Sequence, residues 1–411
     1  MRRLALVPAL FCAAAALPEP DYHDIDRPPH EYHSRQPRDR FTRVKDDLES
    51  GRLAVDRSSE KAFVESLLRA LEIPASSQML AFSTTSLQLR LITPANPRAL
   101  YFNEDIYLGW VPGGRIEMLA LDPELGAIFY IFDPPRNDQP VRVERSERCM
   151  NCHSGADTGR IPGLVVKSVL PGERGGSLKS FRIEQTGHQI PFEERFGGWY
   201  VTGDRRLASA LGNMVGNYVD GQLLKTPLEP GRFFDFARYP VATSDPLPQL
   251  LHEHQAGFVN RVVEAGYRAR TYLHAGGGQL TAAQGRLLDE QARIVVRYVL
   301  FADEAPLPAG GLRGDSAFQA DFVKTRIAGP GGASLKDFDL RTRLFRHRCS
   351  YMIYTPIFNA LPPALKQRIH SQLAAALTTT QPAAEYAYLP AAEKQAIRAI
   401  LRATVPDLAR L

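Results

Sequence analysis

The sequence predicts an α+β fold, with short antiparallel strands and loops in its first part and a mainly α-helical second part. Apolar and polar residues alternate in three stretches between residues 86 and 121, which is the period of a half-buried strand, and residues 127–132 form a short apolar run. From Leu247 onward apolar residues recur at three- and four-residue steps, which is the period of a helix. The chain has 411 residues, 44% of them hydrophobic, and this is enough for a substantial core.

The N-terminal residues have the pattern of a secretory signal peptide. Arg2 and Arg3 precede an apolar run that ends in Ala14-Ala15-Ala16. We expect cleavage after Ala16, so that residues 1–16 are removed and the protein is exported to a bacterial periplasm. The apolar run is shorter than the ~20 residues that span a bilayer, and we expect no stable membrane span after cleavage.

Residues 17–40 are rich in Pro and His and are predicted to form a flexible arm. A metal site built from His23, His30 and His33 is an alternative for this arm. Residues 41–73 are predicted to be helical because apolar side chains recur at helical spacing, and Pro74 ends the segment.

Residues 41–246 are predicted to form one α+β region. Its strands are expected at 86–92, 99–107, 116–121 and 127–132, with a turn at Pro112-Gly113-Gly114. Two further short strands are expected at 161–169 and 199–202. Glycine and proline are frequent from residue 154 to 246, which favours irregular loops around a bulky group.

Residues 247–411 are predicted to form an α-helical region that packs on the α+β region. Its helices are expected at 247–274, 281–302, 316–327, 335–345, 363–377 and 391–403. Pro- and Gly-rich connections separate them.

The stretch Cys149-Met150-Asn151-Cys152-His153 reads C-x-x-C-H, the attachment sequence of a c-type haem. In this interpretation Cys149 and Cys152 form thioether bonds to the porphyrin, and His153 is the proximal iron ligand. The pattern therefore predicts one covalent haem c per chain, surrounded by the strands and loops. A redox C-x-x-C and a zinc site are the competing interpretations. A redox motif is expected in a βαβ context, which the flanking residues 141–148 and 154–161 do not resemble. A zinc site needs four ligands, and the mature chain offers only Cys349 as a further thiol.

The sixth iron ligand has two main candidates. His254 lies on an apolar stripe of the helix predicted from residue 247, where it is either a ligand or a core histidine. His188 lies in a predicted loop that can fold over the ring. Met214 is a thioether alternative, and an open sixth position remains a further one. The stretch Phe196–Tyr200 is predicted either to contact the haem or to pack in the core.

Four stretches give the chain a resemblance to a known group. The resemblance rests on YFNEDIYLGWV (Tyr101–Val111), RCMNCH (Arg148–His153), FGGWYVTG (Phe196–Gly203) and CSYMIYTPIFNALP (Cys349–Pro362). With these the chain resembles a group of exported bacterial single-haem proteins with a cytochrome c motif. The resemblance implies haem c binding and export.

Two functions are compatible with these features. The favoured one is electron transfer with a periplasmic redox partner, because C-x-x-C-H haems most often serve it. The alternative is a haem enzyme of the peroxidase or oxygenase type, with an open or displaceable sixth ligand and a substrate pocket built from the remaining chain. A formal charge of +5 without a basic, aromatic-interleaved stripe gives no reason to expect a nucleic-acid partner.

Overall fold

The computed structural model describes residues 20–135, 139–181, 186–204, 211–378 and 383–410. The predicted signal peptide lies outside these ranges. The described fold is mixed α and β with antiparallel sheets, as expected. The largest sheet has seven strands in the order β6-β5-β4-β3-β2-β1-β9. Its strands are β1 (Met79–Ala81), β2 (Arg98–Phe102), β3 (Ile106–Trp110), β4 (Ile116–Asp122), β5 (Gly126–Phe132), β6 (Glu144–Arg145) and β9 (Trp199–Tyr200).

Two hairpins complete the strands. They are formed by β7 (Val169–Pro171) with β8 (Ser177–Ser180), and by β10 (Met214–Val219) with β11 (Gln222–Pro227). The sequence interpretation missed the second hairpin, because its exposed strands carry little apolar alternation.

The helices of the described residues are α1 (Arg40–Glu49), α2 (Glu60–Ala70), α3 (Met150–His153), α4 (Pro246–Ala275), α5 (Ala282–Val299), α6 (Ser316–Val323), α7 (Pro356–Asn359), α8 (Pro363–Ala376) and α9 (Ala391–Thr404). Their caps follow sequence rules. Asp245 accepts a hydrogen bond from the N–H of Leu247 at the start of α4, and Thr281 with Gln284 forms a capping box on α5. The sequence located α4, α5, α8 and α9 to within a few residues.

Four local expectations are wrong, and in the first three of them side chains hydrogen-bond to nearby backbone. Residues 335–345 are not helical, since Asp339 accepts hydrogen bonds from two following N–H groups. Residues 86–92 form a loop rather than a strand. The strand expected at 99–107 is split by a turn in which Asn103 accepts two hydrogen bonds. The helix expected at 41–73 is also divided, at Gly51, whose φ is +74°.

The described part of the predicted arm packs against α4, which differs from the expectation of flexibility. The His30 ring stacks on Tyr267 at 4.0 Å, and its Nε2 lies 2.8 Å from the Thr271 hydroxyl. His23 and His33 each pair with a separate aspartate of the arm, so the three histidines do not share a site. Tyr267 and Thr271 of α4 stack on and hydrogen-bond to His30, and these contacts hold the segment on the helix.

The two faces of the large sheet have different covers. On one face Phe41 of α1 stacks on Phe132 at 6.1 Å. The other face, called here the α4 face, includes Phe102 and Tyr107, and the ring of His252 on α4 packs against both at 5.6 and 5.5 Å. Side chains from the sheet and from the helices belong to one contiguous hydrophobic core. The α4 face is where the C-x-x-C-H turn lies.

Candidate haem-attachment site

The C-x-x-C-H residues form one compact turn at the end of the strand region. Helix α3 is a single turn that follows a 3-10 turn ending at Cys149. Both thiols are free; Cys149 is partly buried and Cys152 is exposed. Burial raises the pKa of the Cys149 thiol. A helical turn with the two cysteines three positions apart leaves both thiols available to one flat partner.

The imidazole of His153 is held by two hydrogen bonds between this residue and Gly163. Its Nδ1–H donates to the Gly163 carbonyl at 2.9 Å, and the Gly163 N–H donates to the His153 carbonyl at 2.9 Å. Among the described residues, none hydrogen-bonds to the Nε2 of His153. Burial lowers the pKa of His153, which favours the neutral ring. A neutral imidazole with Nδ1 protonated and Nε2 free has the form that binds a metal.

Helix α4 fixes the position of Gly163. The Asn260 amide accepts from the N–H of Leu164 and donates to its carbonyl, both at 2.8 Å. A Cβ atom at Gly163 would collide with the Asn260 amide oxygen, so glycine is required for this close approach. Asn260 is 9% exposed, so water competes little for these bonds. A series of hydrogen bonds therefore connects Asn260 on α4, through Leu164 and Gly163, to the ring of His153.

His153 lies on the α4 face of the large sheet. Its ring packs on Phe129 of β5 with the centroids 4.6 Å apart. Phe129 stands opposite Leu119, and two positions along the strands Ile131 stands opposite Glu117. Side chains two positions apart share a face, so Glu117 lies on the same face as the ring of His153.

An arginine and a glutamate form an ion pair on this face. Arg98 of β2 and Glu117 of β4 approach to 2.5 Å, and their side chains are 16% and 12% exposed. Both charges act on the pKa values of Cys149 and His153, so the pair is close to the attachment turn. The Nε of Arg98 is buried, and among the described residues no group accepts its proton. A buried guanidinium donor without an acceptor is unusual in a folded protein.

The two sixth-ligand candidates contact one another. The Nδ1 atoms of His188 and His254 lie 2.9 Å apart, and the Nε2 of His254 lies 2.8 Å from the Ser350 hydroxyl. Both rings stack on Phe301, at 4.6 and 4.5 Å. Both are buried, and burial, with Arg261 adding to it, lowers the pKa of His254 to about 3. Both nitrogens of His254 thus have partners within the core.

The histidine pair and His153 connect to α4 at different positions, the pair at His254 and His153 through Gly163 at Asn260. His254 precedes Asn260 by six residues, which is about 9 Å along a helix axis. Next to His254, Gln255 accepts a hydrogen bond from Tyr107 on the sheet, whereas His188 stacks on Tyr298 of α5 at 4.1 Å. Apart from each other, the two rings contact α5 and the segments around residues 301 and 350.

The stretch Phe196–Tyr200 packs within the protein. A Cβ atom at Gly197 would lie 2.6 Å from the Val169 carbonyl, and one at Gly198 would lie 2.6 Å from Ser83. Tyr200 is fully buried, and the Trp199 indole donates to the Lys167 carbonyl at 3.0 Å. The paired glycines therefore allow backbone segments to approach closely, as in the core interpretation.

Sequence reasoning missed Gly163, Asn260 and Arg98, which surround the attachment turn. Nothing in the sequence pattern distinguishes them, because their roles depend on contacts between residues 10 to about 100 positions apart. Cys349 is fully buried, which raises its pKa, as expected for a small core residue.

Comparisons with protein-family models, curated proteins and solved structures found no match to this chain. Within the described ranges, no three His, Cys, Asp or Glu side chains come together as a site for a metal ion. The described helices are all too short or too polar to cross a bilayer.

Proposed function

We propose that this protein is an exported c-type cytochrome that binds one haem covalently through Cys149, Cys152 and His153. The observation that carries the proposal is the state of His153. Its Nδ1 is tied to the Gly163 carbonyl and its Nε2 is free, directly beside two free thiols. A redox dithiol gives no reason for an imidazole fixed in this way, and a structural zinc site needs four ligands, which the described residues do not bring together at this turn.

The residues present fit a haem. The thiols would hold the ring covalently, and His153 would supply the proximal nitrogen. When bound, a haem c supplies an iron that cycles between two oxidation states. The Gly163 carbonyl keeps the proton of His153 on Nδ1 and thereby increases the donor strength of Nε2.

Electron transfer to a periplasmic redox partner is the activity that the exposure of the two cysteines supports best. Cys152 is exposed and Cys149 is only partly buried, so an attached ring would have one edge near the protein surface. A cofactor edge near the surface can exchange electrons with a partner without a channel for substrate.

A haem enzyme with an open sixth position is the second candidate, and one observation favours it. His188 and His254 hydrogen-bond to each other, and His254 also contacts Ser350. Ligation through either nitrogen of His254 would cost the hydrogen bond which that nitrogen now makes in a buried cluster, and an unsatisfied buried group costs about 1–3 kcal/mol. An iron without a sixth protein ligand would be free to bind a small molecule.

The test is maturation of the full chain in a periplasm with haem c assembly, beside the variant His153→Ala. We expect a covalent haem in the wild-type protein and loss of its native absorption spectrum in the variant. His347→Ala is a matched control, because this histidine is also partly buried but lies in another segment. An unchanged spectrum in His153→Ala, or a wild-type protein without haem, would refute the proposal.

Carbon monoxide added to the reduced protein separates the two activities. A low-spin spectrum that ignores carbon monoxide indicates two strong protein ligands and supports a carrier. His254→Ala and His188→Ala would then show which histidine ligates iron. A spectrum that shifts with carbon monoxide indicates an open iron and supports the enzyme.

A further inference from the structure

Most exposed apolar side chains of the described residues lie in three short segments. Ten large apolar side chains have an exposed fraction of 37% or more, and eight of them belong to residues 84–91, 172–181 and 214–233. These eight, called here the apolar surface, are Leu87, Leu89, Leu91, Leu178, Tyr218, Val219, Leu224 and Phe233. Single exposed apolar side chains are common on soluble proteins, whereas a group of them indicates a surface that binds a protein or a membrane.

Two contacts join the three segments to one another. The Thr84 N–H donates to the Gly175 carbonyl at 2.9 Å, which connects the 84–91 loop to the turn between β7 and β8. A Cβ atom at Gly216 would lie 3.1 Å from the side chain of Leu178, so this leucine reaches β10. The 84–91 loop, called here the leucine loop, and the two hairpins are therefore neighbours.

The segment that follows Phe233 contacts the same loop. The Asn96 side chain donates to the Leu91 carbonyl at 3.0 Å and accepts a hydrogen bond from Arg238 at 2.7 Å. Arg238 is only five positions after Phe233. All eight apolar side chains thus belong to segments that are connected to the leucine loop.

The β10–β11 hairpin is exposed on both of its faces. Successive residues of a strand alternate between the faces, so Tyr218 lies on one face and Val219 on the other. Leu224 stands opposite Asn217 and therefore shares the face of Val219. A rigid protein surface covers one face of such a hairpin, whereas mobile lipid molecules surround both.

Cationic side chains accompany the apolar ones. The three segments hold five cationic and three acidic residues, which leaves a net charge of +2. The five cations, all exposed, are Arg90, Arg174, Lys179, Lys225 and Arg232. Lys179 and Lys225 lie over the Phe181 ring at 5.4 and 6.0 Å. Arg232 lies over the Phe233 ring in the same way, at 5.4 Å.

This charge favours an anionic lipid layer over a second copy of the chain. Two copies joined by the apolar surface would bring like charges together, whereas an anionic membrane attracts them. Leucine and aromatic side chains surrounded by lysine and arginine are typical of segments that lie on a membrane. The long cationic side chains can place their stems beside apolar groups and their charged ends at phosphates.

We propose that the apolar surface binds the surface of an anionic phospholipid membrane without spanning it. Its leucines and aromatic rings enter the boundary between headgroups and acyl chains, and the five cations contact lipid phosphates. Asp220, in the turn of the β10–β11 hairpin, stays among the headgroups and keeps the hairpin shallow. The residues that carry this inference lie outside the attachment turn, so it does not depend on a bound haem.

The test is co-sedimentation of the mature protein with lipid vesicles. Residues 1–16 must be absent, because their apolar run would itself bind lipid. One set of vesicles contains equal parts of phosphatidylglycerol and phosphatidylcholine, and the other contains phosphatidylcholine alone. We expect binding to the first set that weakens as salt is added, and weaker binding to the second set.

Two variants locate the contact. Leu87→Ser/Leu89→Ser/Leu91→Ser removes the apolar side chains of the leucine loop, and we expect the partition coefficient to fall by about tenfold or more. Leu287→Ser/Ile327→Ser is the matched control, because these two exposed side chains, at 38% and 42%, lie outside the apolar surface. The control should bind like the wild type.

Each other outcome overturns a stated part of the proposal. A wild type that stays in the supernatant with both kinds of vesicle refutes membrane binding, and equal losses in the two variants refute its location. Equal binding to both kinds of vesicle refutes the role of the cations. A wild type that binds no vesicle but forms a dimer, with a monomeric loop variant, identifies a second copy as the occupant instead. If circular dichroism shows that the loop variant does not fold, Tyr218→Ser/Leu224→Ser replaces it and should give the same loss.

Discussion

Asn260→Ala is the change that tests most directly how the fold positions His153. The amide makes two hydrogen bonds of 2.8 Å to the N–H and carbonyl of Leu164, which is 2% exposed. Their loss leaves two buried backbone groups without partners, at about 1–3 kcal/mol each. Water entering the vacated space offsets part of this, and we expect a loss of about 2–4 kcal/mol in the free energy of unfolding.

Asn213→Ala is the matched control for this prediction. Asn213 bonds the N–H and carbonyl of Val201 in the same two-sided way, also at 2.8 Å, and is likewise 9% exposed. Its φ of +56° adds backbone strain for alanine, so its stability loss should be at least as large. Asn213 bonds Val201, whereas Asn260 bonds the residue after Gly163, so only Asn260→Ala should disturb His153.

Urea unfolding of the haem-free chain, followed by far-UV circular dichroism, measures both losses. In the haem form, we expect a broadened or shifted spectrum for Asn260→Ala and an unchanged one for Asn213→Ala. A loss below about 1 kcal/mol in Asn260→Ala would refute the energetic reasoning. Equal spectra in the two variants would refute the role of Asn260 in positioning His153.

Three further predictions concern a buried histidine, a buried ion pair and the accessibility of the thiols. The pKa of His254 is about 3 in the folded protein and about 6.5 in the unfolded chain. The unfolded chain therefore takes up this proton first, and the free energy of unfolding falls by up to about 1.4 kcal/mol per pH unit between about pH 6.5 and 3. Urea unfolding across that range should show a smaller loss in His254→Gln. Arg195→Ala removes the 2.5 Å ion pair of the buried Glu253, and we expect it to lower the free energy of unfolding by about 3–5 kcal/mol. Arg293→Ala removes an exposed pair and should lower it by less than about 1 kcal/mol. Equal shifts of the melting temperature in the two variants would contradict this. In the haem-free chain from residue 17, a thiol reagent should modify exposed Cys152 first and buried Cys349 only after unfolding, as peptide mass mapping would show.

Features that depend only on neighbouring residues are predictable from the sequence. Helices α4, α5, α8 and α9 follow from apolar spacing and from caps such as Asp245, because helix hydrogen bonds are local. The C-x-x-C-H pattern likewise places two thiols and an imidazole on one turn, whatever the rest of the chain does. The expectation of haem came from this pattern and stays a prediction.

Tertiary structure decided what surrounds that turn. Whether His254 faces a cofactor or another histidine depends on His188, 66 residues away, and the apolar stripe is the same in both cases. The proton of His153 is assigned by the Gly163 carbonyl, and Gly163 is positioned by Asn260, which lies almost 100 residues further along the chain. Local patterns specify which groups a segment presents, but long-range packing determines which of their atoms remain free, and that is what ligand chemistry requires.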